Sequence, residues 1–284
     1  MLPYTLNISN LQEKFTMYYH YFNSVSNNYL ICVHGITRNS RDFDYLANNL
    51  SSDYKIICPD IVGRGKSSWL EDHKLYNYST YCKSIIYLLR HLKIDKVDFL
   101  GTSMGGIIGM YLAAYFPDLI NKLIINDIGP AITVSALNKI SKHININPIF
   151  NTITEAEVYI KKLLCNFGIE QEDHWQHIIK HSIIQNSNNT YSLTADPKIG
   201  IAFDEEINNI KDTDTWTIWD VWEKIQSRIL VIRGGLSNIL MQTTLNKMML
   251  SKQYIDSIEY PNIGHAPALM DNYQIQDIKN WLLS

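Results

Sequence analysis

Lys96-Val97-Asp98-Phe99-Leu100-Gly101-Thr102-Ser103-Met104-Gly105-Gly106-Ile107-Ile108-Gly109 decides how this chain is read. Residues 96–100 read as a short apolar strand, and Gly105 to Ala114 as a buried helix. Gly101-Thr102-Ser103-Met104-Gly105 then places a serine on a sharp strand-to-helix turn, a strained position that thrusts the hydroxyl out above the sheet. Small residues are needed two places either side because strand and helix pass very close there. Glycine and serine are common, so the five residues alone carry little; their flanks make them informative.

Two further signals lie outward from this turn. His34-Gly35 ends the apolar run Tyr29-Leu30-Ile31-Cys32-Val33, where an oxyanion loop is expected after an earlier strand. Gly264-His265-Ala266-Pro267 follows Ser257-Ile258-Glu259-Tyr260, which reads as the last strand. Serine first and histidine last is the triad order of one large superfamily. On these residues the chain resembles the α/β hydrolases over nearly its whole length. Within them it is most similar to small bacterial esterases, lactonases and carbon–carbon bond hydrolases that carry a helical cap. Asp60-Ile61-Val62-Gly63-Arg64-Gly65-Lys66-Ser67 resembles the family's D-x-x-G-x-G-x-S turn, and Asn126-Asp127-Ile128-Gly129-Pro130 its passage into the cap.

The rest of the chain is consistent with that resemblance. Strand-like and helical runs alternate, which predicts an α/β fold with a mostly parallel central sheet and helices on both faces. Phe43 to Leu50, Tyr78 to Leu92 and Tyr273 to Leu283 read as helices, and Lys55–Cys58, Leu123–Ile125 and Arg228–Ile232 as strands. The alternation lapses between them, where polar helical segments such as Glu155 to Phe167 and Glu172 to Gln185 take over. This predicts a core domain from residues 1–130 and 220–284, with a helical cap inserted at 131–219.

Composition narrows the partners. The chain has 284 residues, 46% hydrophobic and 19% charged, with a net charge of −3 and no basic block, so it lacks an electrostatic footprint for nucleic acid. The N-terminal residues have neither a basic start nor a long apolar run, and no stretch is long enough to span a membrane. Cys32, Cys58, Cys82 and Cys165 are scattered and lack zinc spacing, as expected of reduced thiols in the cytoplasm. The expected partner is a small-molecule substrate, with no cofactor, metal, nucleic acid or membrane. No seam or patch indicates an oligomeric state.

The residue types imply a nucleophilic mechanism. A serine hydroxyl needs a positioned base to take its proton, and His265 is the candidate for Ser103. The backbone N–H of Met104 is one expected oxyanion donor; the resemblance implies the N–H of Ile36 as the other. The triad acid departs from the family pattern. Relatives often carry an aspartate after the strand equivalent to Arg228–Ile232, and Asn238 stands there instead. Asp127 occupies the alternative position after the strand that precedes the cap. Two readings of it stand: the acid that serves His265, with Asn238 adding at most a hydrogen bond, or a cap for the start of the insertion.

Other residues invite chemistry and have plainer readings. His34 more often braces an oxyanion loop than acts as a base. His174, His177 and His181 share a helix face with no interleaved carboxylate, which favours packing over a metal. Arg64 could bind an anion; a structural salt bridge holding its turn is the plainer role. Trp216, Trp219 and Trp222 recur at a helical period and suit packing, although Trp219 is a candidate pocket residue together with Phe43. The leading function is hydrolysis of a small ester, lactone or thioester through an acyl-enzyme. Carbon–carbon bond hydrolysis by the same triad and noncatalytic small-molecule binding are the alternatives, the second kept open by Asn238.

Overall fold

The computed structural model describes residues 1–9, 11–210 and 214–284. The first half runs β1 (Leu2–Ile8), β2 (Phe15–Phe22), β3 (Tyr29–Val33), α1 (Asp44–Leu50), β4 (Lys55–Pro59), α2 (Tyr78–His91), β5 (Val97–Thr102), α3 (Met104–Tyr115) and β6 (Ile120–Asn126). An insertion follows: β7 (Ala131–Thr133), α4 (Val134–Ile144), β8 (Ile149–Phe150), α5 (Ile153–Leu163), α6 (Glu172–Ser182), β9 (Ile183–Gln185), β10 (Tyr191–Leu193), α7 (Lys198–Asn208) and β11 (Thr215–Thr217). The chain closes with α8 (Trp219–Lys224), β12 (Arg228–Gly234), α9 (Gln242–Ser251), β13 (Ile255–Tyr260) and α10 (Asn272–Leu283).

Eight strands form one sheet in the order β1-β2-β4-β3-β5-β6-β12-β13. From β4 onward every pairing is parallel, while β1 and β2 join as an antiparallel hairpin at one edge. The central strands are apolar on both sides because both faces are covered. Their alternation sorts the core into two layers. Ile31, Val33, Phe99, Leu123, Ile125 and Val231 face one cluster, which includes buried residues of α2, α3, α8 and α9. Leu30, Cys32, Leu100, Ile124, Leu230 and Ile232 face the other, which takes in Leu46 and Leu50 of α1 and Ile275 and Ile278 of α10. The β1–β2 hairpin was not part of the expected strand set.

The insertion is more mixed than its polar helical pattern suggested. Its entry and exit are clasped by β7 and β11, whose antiparallel register pairs Ala131 with Thr217 and Thr133 with Thr215. A three-stranded sheet, β8-β10-β9, sits among its helices. Hydrogen bonds tie the insertion to loops at the sheet's carboxyl edge: Arg38 Nη1 donates to Ser182 Oγ at 2.7 Å, and Gly65 N to the Thr194 carbonyl at 2.9 Å. Gly264 N and Ala268 N donate to the Asn166 and Phe167 carbonyls at 2.7 and 3.1 Å. No helix among the described residues is long and apolar enough to cross a membrane.

Candidate active site

Parallel strands present their carboxyl ends, and the loops that leave them, along one edge of a sheet. Here that edge gathers residues far apart in the chain: His34-Gly35 after β3, Ser103 after β5, Asp127 after β6, Gly234 at the end of β12 and His265 beyond β13.

Ser103 has φ 52° and ψ −114°, a left-handed conformation that costs a non-glycine residue on the order of 1–3 kcal/mol. The turn is held by close packing. A Cβ on Gly105 would lie 2.0 Å from the Val33 carbonyl oxygen, and one on Gly101 would lie 2.2 Å from the Gly105 backbone. Glycine is therefore demanded at both places by neighbouring backbone that cannot swing aside. The Ser103 side chain stays partly exposed at the mouth of a cavity.

His265 Nε2 lies 3.0 Å from Ser103 Oγ, and His265 Nδ1 lies 2.8 Å from Asp127 Oδ2. Asp127 is fully buried and itself has φ 57°. Its second oxygen accepts the Gly234 N–H at 2.8 Å, and its own N–H donates to the Ile232 carbonyl at 2.8 Å. A carboxylate on Nδ1 fixes the imidazole with its proton there, leaving Nε2 to accept from the serine hydroxyl. Asn238 is exposed on the loop after β12. Of the two acid positions, the one after β6 makes the contact with His265.

Ile36 and Met104 border the space around Ser103 Oγ. The Met104 N–H belongs to the first turn of α3, whose amides have no partner within the helix. The loop carrying Ile36 is braced from two sides. His34 Nε2 accepts the Ile61 N–H at 3.0 Å, so its proton sits on Nδ1, which donates to the Gly35 carbonyl at 2.7 Å. Burial lowers the pKa of this histidine to about 4, in keeping with a neutral brace. Arg64, also fully buried, donates from Nε to the Ile36 carbonyl at 2.7 Å and from Nη1 to the Val62 carbonyl and the Tyr81 hydroxyl. Sequence reasoning assigned Arg64 a salt bridge. Among the described residues its hydrogen bonds go instead to carbonyl oxygens, a tyrosine hydroxyl and the Met104 sulfur, with its guanidinium over the rings of Tyr76 and Tyr81.

Two cavities meet at Ser103. The larger, about 190 Å³, runs beneath α4, α5 and α6 of the insertion, and Phe43, Ile144, Phe167 and His265 are among its walls. The narrower one lies between α3 and α7, lined by Met104, Phe203 and Trp216 among others. Phe43 thus stands where a substrate-contacting residue would. Trp219 does not, and this corrects the sequence reading. It borders neither cavity; Lys247 Nζ sits 4.0 Å from its ring centroid, and its ring meets Trp222 edge-on. The helical period that grouped the three tryptophans was misleading, because Trp216 belongs to strand β11 and only the other two to α8.

The histidines of α6 pack against the segment before and within α1. His174 meets the Tyr45 ring at 4.4 Å, and His177 Nε2 lies 2.9 Å from the Arg41 carbonyl oxygen. Asp44, His177 and His181 do converge as three potential metal ligands. The Asp44 carboxylate is already engaged by the Arg41 guanidinium, a fixed positive charge that opposes a cation there.

Comparison with known proteins gives the family. Residues 28–150 match the model of the α/β-hydrolase fold. The chain is 34% identical to the 3-hydroxybutyrate-oligomer hydrolase of Cupriavidus necator, an alignment that covers 91% of this chain and 90% of that protein. The chain is an α/β hydrolase. Among solved structures, a Rickettsia typhi chain assigned as a hydrolase superposes with a TM-score of 0.92 at 34% identity, covering 100% of this chain and 99% of the other. An α/β hydrolase from Novosphingobium aromaticivorans gives a TM-score of 0.88 at 26% identity, with 99% and 98% covered.

Proposed function

We propose that this hydrolase cleaves short esters of hydroxy acids, oligomers of 3-hydroxybutyrate among them, through an acyl-enzyme on Ser103. One observation carries the reading: the continuous hydrogen-bonded chain from Asp127 through His265 to Ser103 Oγ, at 2.8 and 3.0 Å. Ser103 Oγ attacks the ester carbonyl carbon while His265 Nε2 takes its proton. The negative charge that develops on the carbonyl oxygen is met by the N–H groups of Met104 and Ile36. Collapse breaks the bond to the leaving oxygen, which receives the proton from His265. A water molecule, activated by the same nitrogen, then cleaves the acyl-enzyme and restores Ser103.

The substrate class rests on two supports. The similarity to the 3-hydroxybutyrate-oligomer hydrolase extends over nearly the full length of both chains. The cavities at Ser103 are small, and their walls mix aliphatic side chains with a few polar groups, which suits short acyl units better than long lipid chains. In this reading residues 131–219 act as a cap over the larger cavity, and the cytoplasm is its place of action. The four cysteines, all free thiols and two of them buried in the core, favour a reducing compartment.

The test is turnover of the 3-hydroxybutyrate dimer and trimer beside p-nitrophenyl esters of rising chain length. Release of the monomer, with p-nitrophenyl turnover falling beyond a few carbons, supports the proposal. Efficient cleavage of long acyl chains with no cleavage of the oligomers contradicts it.

A further inference from the structure

The narrower cavity at Ser103 contains one group that its surroundings do not explain. Its walls are overwhelmingly apolar, including Ile107, Ile128, Ile132, Leu137 and Phe203, and Glu206 of α7 is the only carboxylate among the described residues that line it. Glu206 is hydrogen-bonded to the side chain of Trp216, which the β7–β11 clasp holds in place. Tyr78 lines the same space, its ring 6.4 Å from that of Trp216. A carboxyl group inside an apolar chamber that opens on the nucleophile is costly unless something polar meets it. Burial also raises the Glu206 carboxyl above its ordinary value, partly opposed by the hydrogen bond from Trp216.

We propose that Glu206, oriented by Trp216, recognises the free hydroxyl of a 3-hydroxyacyl unit seated in this chamber and thereby sets the direction in which the substrate binds. The inference rests on the hydroxyacyl-ester reading above. An oligomer of a hydroxy acid has two unlike ends, a neutral hydroxyl and an anionic carboxylate. The carboxylate end is disfavoured beside Glu206, either by like charge or by its own desolvation in an apolar chamber. The larger cavity is mixed in charge and more polar: Arg38 paired with Asp42, His143, and Asp196 accepting from the Tyr76 hydroxyl all line it. The hydroxyl-terminal unit therefore enters the narrow chamber and forms the acyl-enzyme. The remainder, ending in its carboxylate, leaves through the larger cavity. The chain is shortened one unit at a time from its hydroxyl end.

The experiment compares kcat/KM for p-nitrophenyl 3-hydroxybutyrate and p-nitrophenyl butyrate in the wild type, Glu206→Gln and Glu206→Leu. These esters differ at the acyl hydroxyl alone, and their ratio is taken within one preparation, so partial loss of folded protein cancels. The wild type is expected to prefer the hydroxylated ester. That preference falls about tenfold or more in Glu206→Leu, where the hydroxyl is left unpaired, and is largely kept in Glu206→Gln, which still donates and accepts. A wild type without preference, or an unchanged ratio in Glu206→Leu, overturns the inference and leaves hydroxyacyl-ester hydrolysis standing. Failure of the wild type to turn over either ester overturns both.

Discussion

Asp127 Oδ2 lies 2.8 Å from His265 Nδ1, and the aspartate's other oxygen is held by the Gly234 N–H at the same distance. The acid thus comes from the end of β6 and is clamped by the end of β12. Asn238, on the loop after β12, is exposed. Replacing Asp127 with asparagine would leave the shape and remove the charge that favours the imidazolium. We expect kcat for p-nitrophenyl butyrate to fall by about 10³–10⁴ in Asp127→Asn. Asn238→Asp is expected to change it by less than about threefold, as befits a surface loop position. A sharp rise in Asn238→Asp would contradict the assignment.

Two glycines near the nucleophile answer to different constraints. A Cβ on Gly105 would meet the Val33 carbonyl oxygen at 2.0 Å, whereas one on Gly35 would meet nothing closer than 3.7 Å. Gly105→Ala must push α3 off the sheet. It should cost about 3 kcal/mol or more, or leave no soluble protein. Gly35→Ala should stay within about 1 kcal/mol of the wild type. Urea unfolding of the two variants checks the contrast, and similar costs at both positions would refute it.

Arg64 grips the Ile36 carbonyl with one edge of its guanidinium and the Val62 carbonyl and Tyr81 hydroxyl with another. Lysine keeps the charge and loses the planar fork. Arg64→Lys should therefore loosen the oxyanion loop, lowering kcat by about tenfold with a smaller change in KM, because the loop is needed most when charge develops. An unchanged kcat in a variant that folds would remove Arg64 from this positioning role.

His34 ties the same loop to acid stability. Its pKa is lowered from 6.5 to about 4 by burial. As pH falls, the unfolded chain takes the proton first, so this contribution is fully present above about 6.5, declines through the interval down to about 4 and is level below. The size is about 3 kcal/mol over that interval. Burial lowers His20 and His181 in the same direction. Thermal unfolding between pH 7 and 4 should therefore show a steeper loss in the wild type than in His34→Gln. Equal slopes would show that His34 is not a source of the acid sensitivity.

What the sequence revealed follows from which features are local. Ser103 and its turn were legible because the packing that demands Gly101 and Gly105 lies within one strand–turn–helix unit. His265 was legible from chain order and its place after the last strand. The acid was half legible: both positions could be named, and the choice depended on where the β6 and β12 loops meet in space. Of the pocket, Phe43 was legible and the rest was not. Trp216 and Trp219 are three residues apart, yet the break between β11 and α8 sends one into a cavity and leaves the other half-buried against the core, beside Lys247. Glu206 carries no signal in the sequence, since one acid on a polar helix reads as solvated. Arg64 was read as a salt bridge because a buried guanidinium satisfied mainly by carbonyl oxygens leaves no charge partner to spot.

The central claim is a covalent acyl intermediate on Ser103, and it can be tested by trapping. Protein quenched with acid during steady-state turnover of p-nitrophenyl butyrate is digested and mapped by mass spectrometry, with Ser103→Ala alongside. The peptide spanning Ser103 should gain the mass of one acyl group in the wild type and none in the variant. The label should build up further when the second half-reaction is slowed. Turnover that persists in Ser103→Ala, or an acyl group found on another residue, would contradict the account.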